Sequence, residues 1–193
     1  YDEARALARL LTEWSNGLPG DRRFVVSSGG GGGIMEAANR GARDAGGRTI
    51  GLNFGLPNEQ RPNPYISPGL GFEFHYFFMR KLWFAHLARA LVVFPGGFGT
   101  MDELFEILTL AQTRKLSQPV PVLLYGSAYW NEVVNFEALL RHGMISAEDL
   151  RLFRFADSPQ AAMALLEEAL LPKAAEPAPA FNPSRTPENA EGT

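Results

Sequence analysis

Residues 95–103, with the sequence Pro-Gly-Gly-Phe-Gly-Thr-Met-Asp-Glu, combine a glycine-rich turn with a hydroxyl group and two carboxylates. The turn joins the apolar residues 90–94 to residues 100–113, whose apolar spacing is typical of a helix. Glycine lets a backbone approach a ligand closely, and the free N–H groups at a helix N-terminus attract phosphate. The segment therefore predicts a phosphate-binding turn that includes Gly96.

An earlier glycine-rich turn lies at residues 27–33, where two serines precede five glycines, Gly31 at their centre. In an open parallel sheet, ligands bind beyond the carboxyl ends of the strands, where both turns would lie. Either turn alone could be only a tight connection, but two of them favour phosphate binding. Neither matches the P-loop pattern, and the dinucleotide-binding glycine pattern is met only in part, because its third position is Ile34.

Two pairs of charged residues supply possible reactive groups. Arg80 and Lys81 are adjacent within the apolar residues 77–84, where they either extend to solvent or clamp a phosphate or a carboxylate. Asp102 and Glu103 fall in the first turn of a predicted helix, where they either complement the helix dipole or face a bound ligand. A carboxylate beside a bound sugar can stabilise an oxocarbenium-like centre or orient a water molecule.

Helix-like and strand-like stretches alternate along the chain. The predicted helices are residues 1–14, 34–45, 77–89, 100–113, 128–142 and 159–171, and the predicted strands are residues 24–28, 49–53, 72–74, 90–94, 120–125 and 152–155. This order predicts an α/β fold, a Rossmann-like doubly wound parallel sheet flanked by helices. We expect one nucleotide-binding domain over residues 1–171 and a disordered tail over the Pro- and Ala-rich residues 172–193. Because the sequence opens in a helix, we also expect a first strand to precede it in a longer gene product.

The composition excludes several classes of function. A formal net charge of −3 gives no field for binding nucleic acid or an anionic membrane, and no run of 18 apolar residues is present. The absence of cysteine excludes disulfides and thiolate metal sites and fits a cytoplasmic location. The three histidines have no paired ligand spacing, so we predict no metal site.

Three stretches together resemble the Lonely Guy family of cytokinin riboside 5′-monophosphate phosphoribohydrolases and related nucleotide hydrolases. They are residues 30–42, the Met-Arg-Lys run at 79–81 and residues 95–103. The resemblance is strong over residues 27–113 and looser as far as residue 171. Members of this family often carry the label "possible lysine decarboxylase". A pyridoxal phosphate enzyme needs a Schiff-base lysine with a partner for the pyridinium nitrogen, and no segment is typical of one, so we expect no cofactor.

The resemblance implies hydrolysis of the N-glycosidic bond of a nucleoside 5′-monophosphate, either AMP or a cytokinin riboside monophosphate. The products would be a free base and ribose 5-phosphate. Arg80 and Glu103 match the family's catalytic pair. The substrate-binding residues that we predict from the family positions and from the two turns are Glu59, Lys81, Gly31, Gly96, Gly97, Gly99, Thr100, Asp102 and Thr109. The family forms dimers, so a homodimer or a higher homo-oligomer is expected.

A non-catalytic carrier of a nucleotide or of the molybdenum cofactor, from the same superfamily, is the alternative, since such proteins use similar glycine turns. Arg80 with Glu103 at this spacing favours the enzyme. Short family members carry a Met-His pair just before the Arg-Lys pair, whereas residues 76–79 here are Tyr-Phe-Phe-Met. The Pro-rich residues 56–70 also form a longer loop. These differences leave the base open and favour a bacterial branch of the family.

Overall fold

The computed structural model describes residues 1–20, 23–55, 61–116 and 118–174. The predicted contact at Glu59 and residues 175–193 of the predicted tail lie outside them. The helices are α1 Asp2–Gly17, α2 Ile34–Asp44, α3 Phe77–Leu87, α4 Phe98–Gln112, α5 Ser127–Val133, α6 Phe136–Arg141 and α7 Pro159–Ala174. The strands are β1 Val26–Ser28, β2 Thr49–Phe54, β3 Gly71–Phe74, β4 Leu91–Val93, β5 Val122–Tyr125 and β6 Phe153–Ala156.

All strand pairs in the described residues are parallel. They form two three-stranded sheets, in the orders β1-β2-β3 and β4-β5-β6. Ser28 pairs with Gly51 in the first sheet, and Val93 pairs with Leu124 in the second. Helices connect β1 to β2, β3 to β4, β4 to β5 and β5 to β6, whereas no helix of the described residues lies between β2 and β3. The predicted α/β architecture of parallel strands flanked by helices is therefore confirmed.

The second sheet is covered by helices on both faces because side chains alternate along β5. Val122 and Leu124 pack on one side, in a core completed by residues of α4, α5 and α6. Leu123 and Tyr125 pack on the other side, in a core formed with α1 and α7. All four of these side chains are buried, which explains why the strand is apolar throughout its length.

One predicted helix is wrong in its extent. Residues 128–142 form two helices, α5 and α6, because Val134 adopts an extended conformation between them. The Asn135 side chain then accepts a hydrogen bond from the Ala138 N–H at 2.8 Å and caps α6. At the other end of the chain, α7 begins after Ser158, whose hydroxyl accepts from the Ala161 N–H at 3.2 Å, as a helix cap does. This helix continues to Ala174, three residues beyond the predicted domain boundary.

A substitution at Leu124 tests whether the second sheet has the core described above. Its side chain is fully buried, so the substitution Leu124→Ala leaves a cavity and should lower the free energy of unfolding by about 3 kcal/mol. The control is Leu171→Ala, because Leu171 is 51% exposed on α7 and its loss should cost less than about 0.5 kcal/mol. Urea denaturation measures both changes. Equal losses of stability in the two variants would contradict the assigned core.

Candidate active site

Both glycine-rich turns lie at carboxyl ends of strands. The first follows β1 and leads into α2, and the second follows β4 and leads into α4. Gly33 and Gly97 are the residues that precede these helices, and no side chain caps either helix. The first N–H groups of α2 and α4 therefore lack a side-chain acceptor, which is the arrangement that binds an anion.

The second turn is tight at one glycine and open at two others. A Cβ atom at Gly96 would lie 2.2 Å from the Thr100 hydroxyl oxygen, so only glycine fits there. Gly97 and Gly99 are exposed, and a Cβ atom at either would meet nothing within 4 Å. Packing within the chain therefore does not require glycine at 97 and 99, whereas a ligand that approaches the backbone closely would require it.

The first turn is buried where it leaves β1 and exposed where it enters α2. Gly31 is buried, and Gly32 and Gly33 are exposed. Gly30 has a φ of 76°, and a Cβ atom there would overlap the side chain of Asn53, which is itself buried. The predicted contact at Gly31 thus lies beneath the open part of the turn, and Gly32 is the nearer residue to solvent.

Arg80 and Glu103 form an ion pair between α3 and α4. Their Nη2 and Oε1 atoms are 2.6 Å apart, and the two side chains are only 13% and 25% exposed. The Arg80 Nε–H also donates to the carbonyl of Leu52, in β2, at 3.0 Å. A Cβ atom added to Gly29 would lie 3.1 Å from Arg80 Nη2, so the guanidinium also borders the first glycine turn. The predicted catalytic pair is therefore in direct contact, between the two turns.

Lys81 and Asp102 form a second, more exposed ion pair beside the first. Lys81 Nζ lies 2.6 Å from an Asp102 carboxylate oxygen and 3.4 Å from Glu106 Oε2. Hydrogen bonding to Asp102 raises the pKa of Lys81, so that this side chain carries its positive charge over a wide pH range. The two neighbouring carboxylates of α4 thus have different partners, because Asp102 binds Lys81 and Glu103 binds Arg80.

Burial gives Glu103 an unusual protonation equilibrium. Removal of its carboxyl from water raises its pKa, and the nearby Arg80 guanidinium opposes this effect by favouring the charged form. The net pKa is above the ordinary value for glutamate. A carboxylate with a raised pKa accepts a proton more readily than an exposed one, which suits a general base.

The structure does not bring Thr109 to this ion pair. Its exposed hydroxyl donates to the Phe105 carbonyl at 2.6 Å, one turn earlier in the same helix. Two residues near the turns were not predicted from the sequence. The Asn63 amide contacts the first turn and the Tyr129 hydroxyl contacts the second. An Asn between two prolines in a turn-rich segment was the only sequence signal for Asn63, and nothing in the sequence marked Tyr129.

Within residues 1–20, 23–55, 61–116 and 118–174, no group of three or more His, Cys, Asp or Glu side chains could hold a metal ion. The same residues include no helix that is long and apolar enough to cross a membrane.

Comparison with known proteins places this arrangement in a family. A family model described as "Possible lysine decarboxylase" matches residues 35–166. Two rice proteins (Oryza sativa subsp. japonica), each named a probable cytokinin riboside 5′-monophosphate phosphoribohydrolase, are 29% and 30% identical to the chain. The matches cover 77% and 75% of this chain and 60% and 63% of the rice proteins. An Arabidopsis thaliana protein named a cytokinin riboside 5′-monophosphate phosphoribohydrolase is 26% identical over 87% of this chain and 75% of its own length.

Solved structures agree on the fold. The structural genomics target TM1055 aligns with a TM-score of 0.60 at 24% identity, over 86% of each chain. A molybdenum cofactor carrier protein from Chlamydomonas reinhardtii aligns with a TM-score of 0.58 at 22% identity, over 88% of this chain and 86% of its own. At such identities the likeness concerns the fold alone.

The fold defines a Rossmann-like α/β protein with two glycine turns at the carboxyl ends of its strands. The chain belongs to the family of the "Possible lysine decarboxylase" model, that of the Lonely Guy proteins. It spans about 60% of the length of the rice relatives.

The effect of Arg80 on the pKa of Glu103 can be measured directly. Replacing Arg80→Met should raise the pKa of Glu103 further, because the positive charge that favours its ionised form is lost. Lys81→Met is the matched control and should raise this pKa less, because Lys81 has the weaker lowering effect. Carbon-13 NMR titration of the glutamate side-chain carboxyls gives both values. A larger upward shift in the Lys81 variant would contradict the assigned pair.

Proposed function

We propose that this protein hydrolyses the N-glycosidic bond of a nucleoside 5′-monophosphate, AMP or a cytokinin riboside monophosphate, to release a free base and ribose 5-phosphate. The names of its rice and Arabidopsis relatives support this substrate class. We further propose a cytoplasmic location, which the absence of cysteine supports.

The observation that carries the proposal is the position of the Glu103 carboxylate. It lies in the second turn of α4 and not in the first turn as predicted, because the helix begins at Phe98, two residues before the predicted start. It pairs with Arg80 at 2.6 Å. A phosphate bound by the N–H groups of the two turns would hold the attached ribose beside this carboxylate. A partly buried, negatively charged group at that place suits a reaction in which positive charge develops on the sugar.

The chemistry follows from these positions. The bond between C1′ of the ribose and the nitrogen of the base lengthens first, and the base leaves with the bonding electrons. Glu103 stabilises the oxocarbenium-like centre that remains and takes a proton from the attacking water, whose oxygen bonds to C1′. The departing base takes up a proton from solvent to become neutral, and Glu103 releases the proton of the attacking water to solvent. Arg80 holds the Glu103 carboxylate in place and faces the phosphate or the ribose.

The alternative is a carrier that binds a nucleotide or the molybdenum cofactor and leaves it intact. Such a protein needs the glycine turns but has no use for a carboxylate with a raised pKa beside the sugar. The Arg80–Glu103 pair therefore favours hydrolysis.

Glu103→Gln separates the two functions. The amide keeps the size of the side chain but can neither accept the proton nor carry the negative charge. We expect the rate of adenine release from AMP to fall by at least about a hundredfold, while AMP binding remains detectable. Chromatography of adenine measures release, and calorimetry measures binding.

Glu106→Gln is the matched control, because Glu106 lies one turn further along α4 and contacts Lys81 instead of Arg80. This variant should release adenine at nearly the wild-type rate. Wild-type turnover by the Glu103 variant would exclude the proposed catalytic role. A wild-type protein that binds AMP without releasing any base would favour the carrier.

We also propose that two copies of the chain associate through α3. None of its residues is buried, although most of them are apolar. The exposed apolar side chains on and just before this helix are Tyr76, Phe77, Phe78, Leu82, Trp83 and Leu87. Large exposed apolar patches are typical of protein interfaces, and a second copy would cover this one.

Phe78→Glu tests this assembly. Phe78 is 64% exposed, so a charge there should cost the fold little but should prevent burial of the helix in an interface. Analytical ultracentrifugation should show that the wild type is a dimer or larger and that the variant is a monomer. Leu171→Glu, on the exposed side of α7, should leave the assembly unchanged. A monomeric wild type would refute the proposal.

A further inference from the structure

In each glycine turn, a side chain from another segment donates a hydrogen bond to a backbone carbonyl. The Tyr129 hydroxyl, on α5, donates to the Gly96 carbonyl at 2.6 Å. The Asn63 side-chain amide donates to the carbonyls of Gly30 and Gly31, at 3.1 and 3.0 Å. The Asn63 backbone N–H also donates to the Gly30 carbonyl, at 2.8 Å. Neither side chain belongs to a glycine turn. Tyr129 lies 33 positions from Gly96, and Asn63 lies 33 and 32 positions from Gly30 and Gly31.

Holding a carbonyl also sets the direction of an N–H group. In a trans peptide, the C=O of one residue and the N–H of the next point in opposite directions, and the described residues include no cis peptide. The carbonyls of Gly96 and Gly31 point towards Tyr129 and Asn63, so the N–H groups of Gly97 and Gly32 point away from them. Gly97 and Gly32 are exposed, and within the described residues their N–H groups donate to no other atom of the chain.

The two holding side chains are themselves anchored. Trp130, next to Tyr129, is fully buried and donates from its indole nitrogen to the carbonyls of Val93 and Tyr125, at 3.2 and 3.0 Å. Asn63 is buried and also donates to Asn39 Oδ1 at 2.9 Å. Asn39 accepts a further bond from the Ser28 hydroxyl, at 2.6 Å. Both turns are thus connected to the core through side chains with satisfied hydrogen bonds.

We propose that Asn63 and Tyr129 are positioning residues, which orient the Gly32 and Gly97 N–H groups towards the phosphate of the substrate before it binds. Donors that already point at an anion need no reorganisation when it arrives, and so bind it more tightly. The inference rests on the proposed function only in taking a sugar phosphate as the ligand. It does not require that the bond be hydrolysed.

The test uses ribose 5-phosphate as the probe, with Tyr129→Phe and Asn63→Asp as the variants. Tyr129→Phe removes only the hydroxyl that holds Gly96. Asn63→Asp keeps the size of the side chain but replaces its NH2 donor by an oxygen that repels the two carbonyls. We expect each variant to raise the dissociation constant for ribose 5-phosphate about tenfold, which corresponds to about 1.4 kcal/mol, as measured by calorimetry. In AMP hydrolysis the effect should fall on KM and leave kcat within about twofold of the wild type.

Tyr125→Phe is the matched control. It removes a buried hydroxyl at the end of β5, and this hydroxyl forms no hydrogen bond with either glycine turn. Its dissociation constant should equal that of the wild type. If Asn63→Asp lowers the melting temperature, Tyr129→Phe still tests the other turn independently.

The possible outcomes separate the inference from the proposed function. Unchanged affinity in Tyr129→Phe and in a folded Asn63→Asp would overturn the inference, even if the wild type hydrolyses AMP. So would an equal loss of affinity in Tyr125→Phe, or a wild type that does not bind ribose 5-phosphate. Weakened binding in the two variants alone would support the inference, even if the wild type never releases a base.

Discussion

The ion pair between Arg80 and Glu103 is the interaction on which the site depends. Arg80 follows the first sheet, and through the Leu52 carbonyl it is also bonded to β2. Glu103 lies on α4, the helix that follows β4 of the second sheet. Two charges at this degree of burial are tolerated only because they are paired, so α3 and α4 must stay in register for either to remain ionised. The pair thus links β2 and α3 to α4, beside the two glycine turns.

The adjacent carboxylates of Asp102 and Glu103 on α4 differ in exposure and in ion-pair partner. Asp102 is 44% exposed and binds Lys81, whereas Glu103 is 25% exposed, lies against Arg80 and has a raised pKa. A helix places neighbouring residues about 100° apart around its axis, so two consecutive acids necessarily face different environments. Both carboxylates therefore link α4 to α3, and the more buried one, Glu103, is the one that we propose for proton transfer.

Local patterns in the sequence predicted most of the architecture. The apolar run at β5 and the glycines before α2 and α4 can each be recognised from a few consecutive residues. The order of the predicted helices and strands then indicated the parallel α/β fold. The break between α5 and α6 was missed, because the apolar spacing continues across it, and only the extended Val134 and the cap at Asn135 mark it. Arg80 and Glu103 were predicted individually, but their contact joins residues 23 positions apart and could be inferred only from family resemblance.

The roles of Asn63 and Tyr129 could not be predicted for a related reason. Each contacts a glycine 33 positions away in the sequence, and the two residues meet only when the domain folds. A tyrosine on a short helix and an asparagine in a loop are common, and neither residue type signals a bond to a distant glycine carbonyl. Periodicity and turn propensity describe neighbours in sequence, so contacts of this kind become visible only in three dimensions.

The open space around Gly97 and Gly99 has a consequence for how sequences of this kind diverge. A methyl group there would meet no atom of the chain within 4 Å, and neither residue has a positive φ. The fold therefore does not require glycine at these two positions, whereas the close approach of the proposed ligand would. A gene copy that is no longer selected for binding the proposed ligand would lose that binding through one small substitution and still produce an intact domain. Among relatives, the residue at these two positions would then report whether the ligand is still in use.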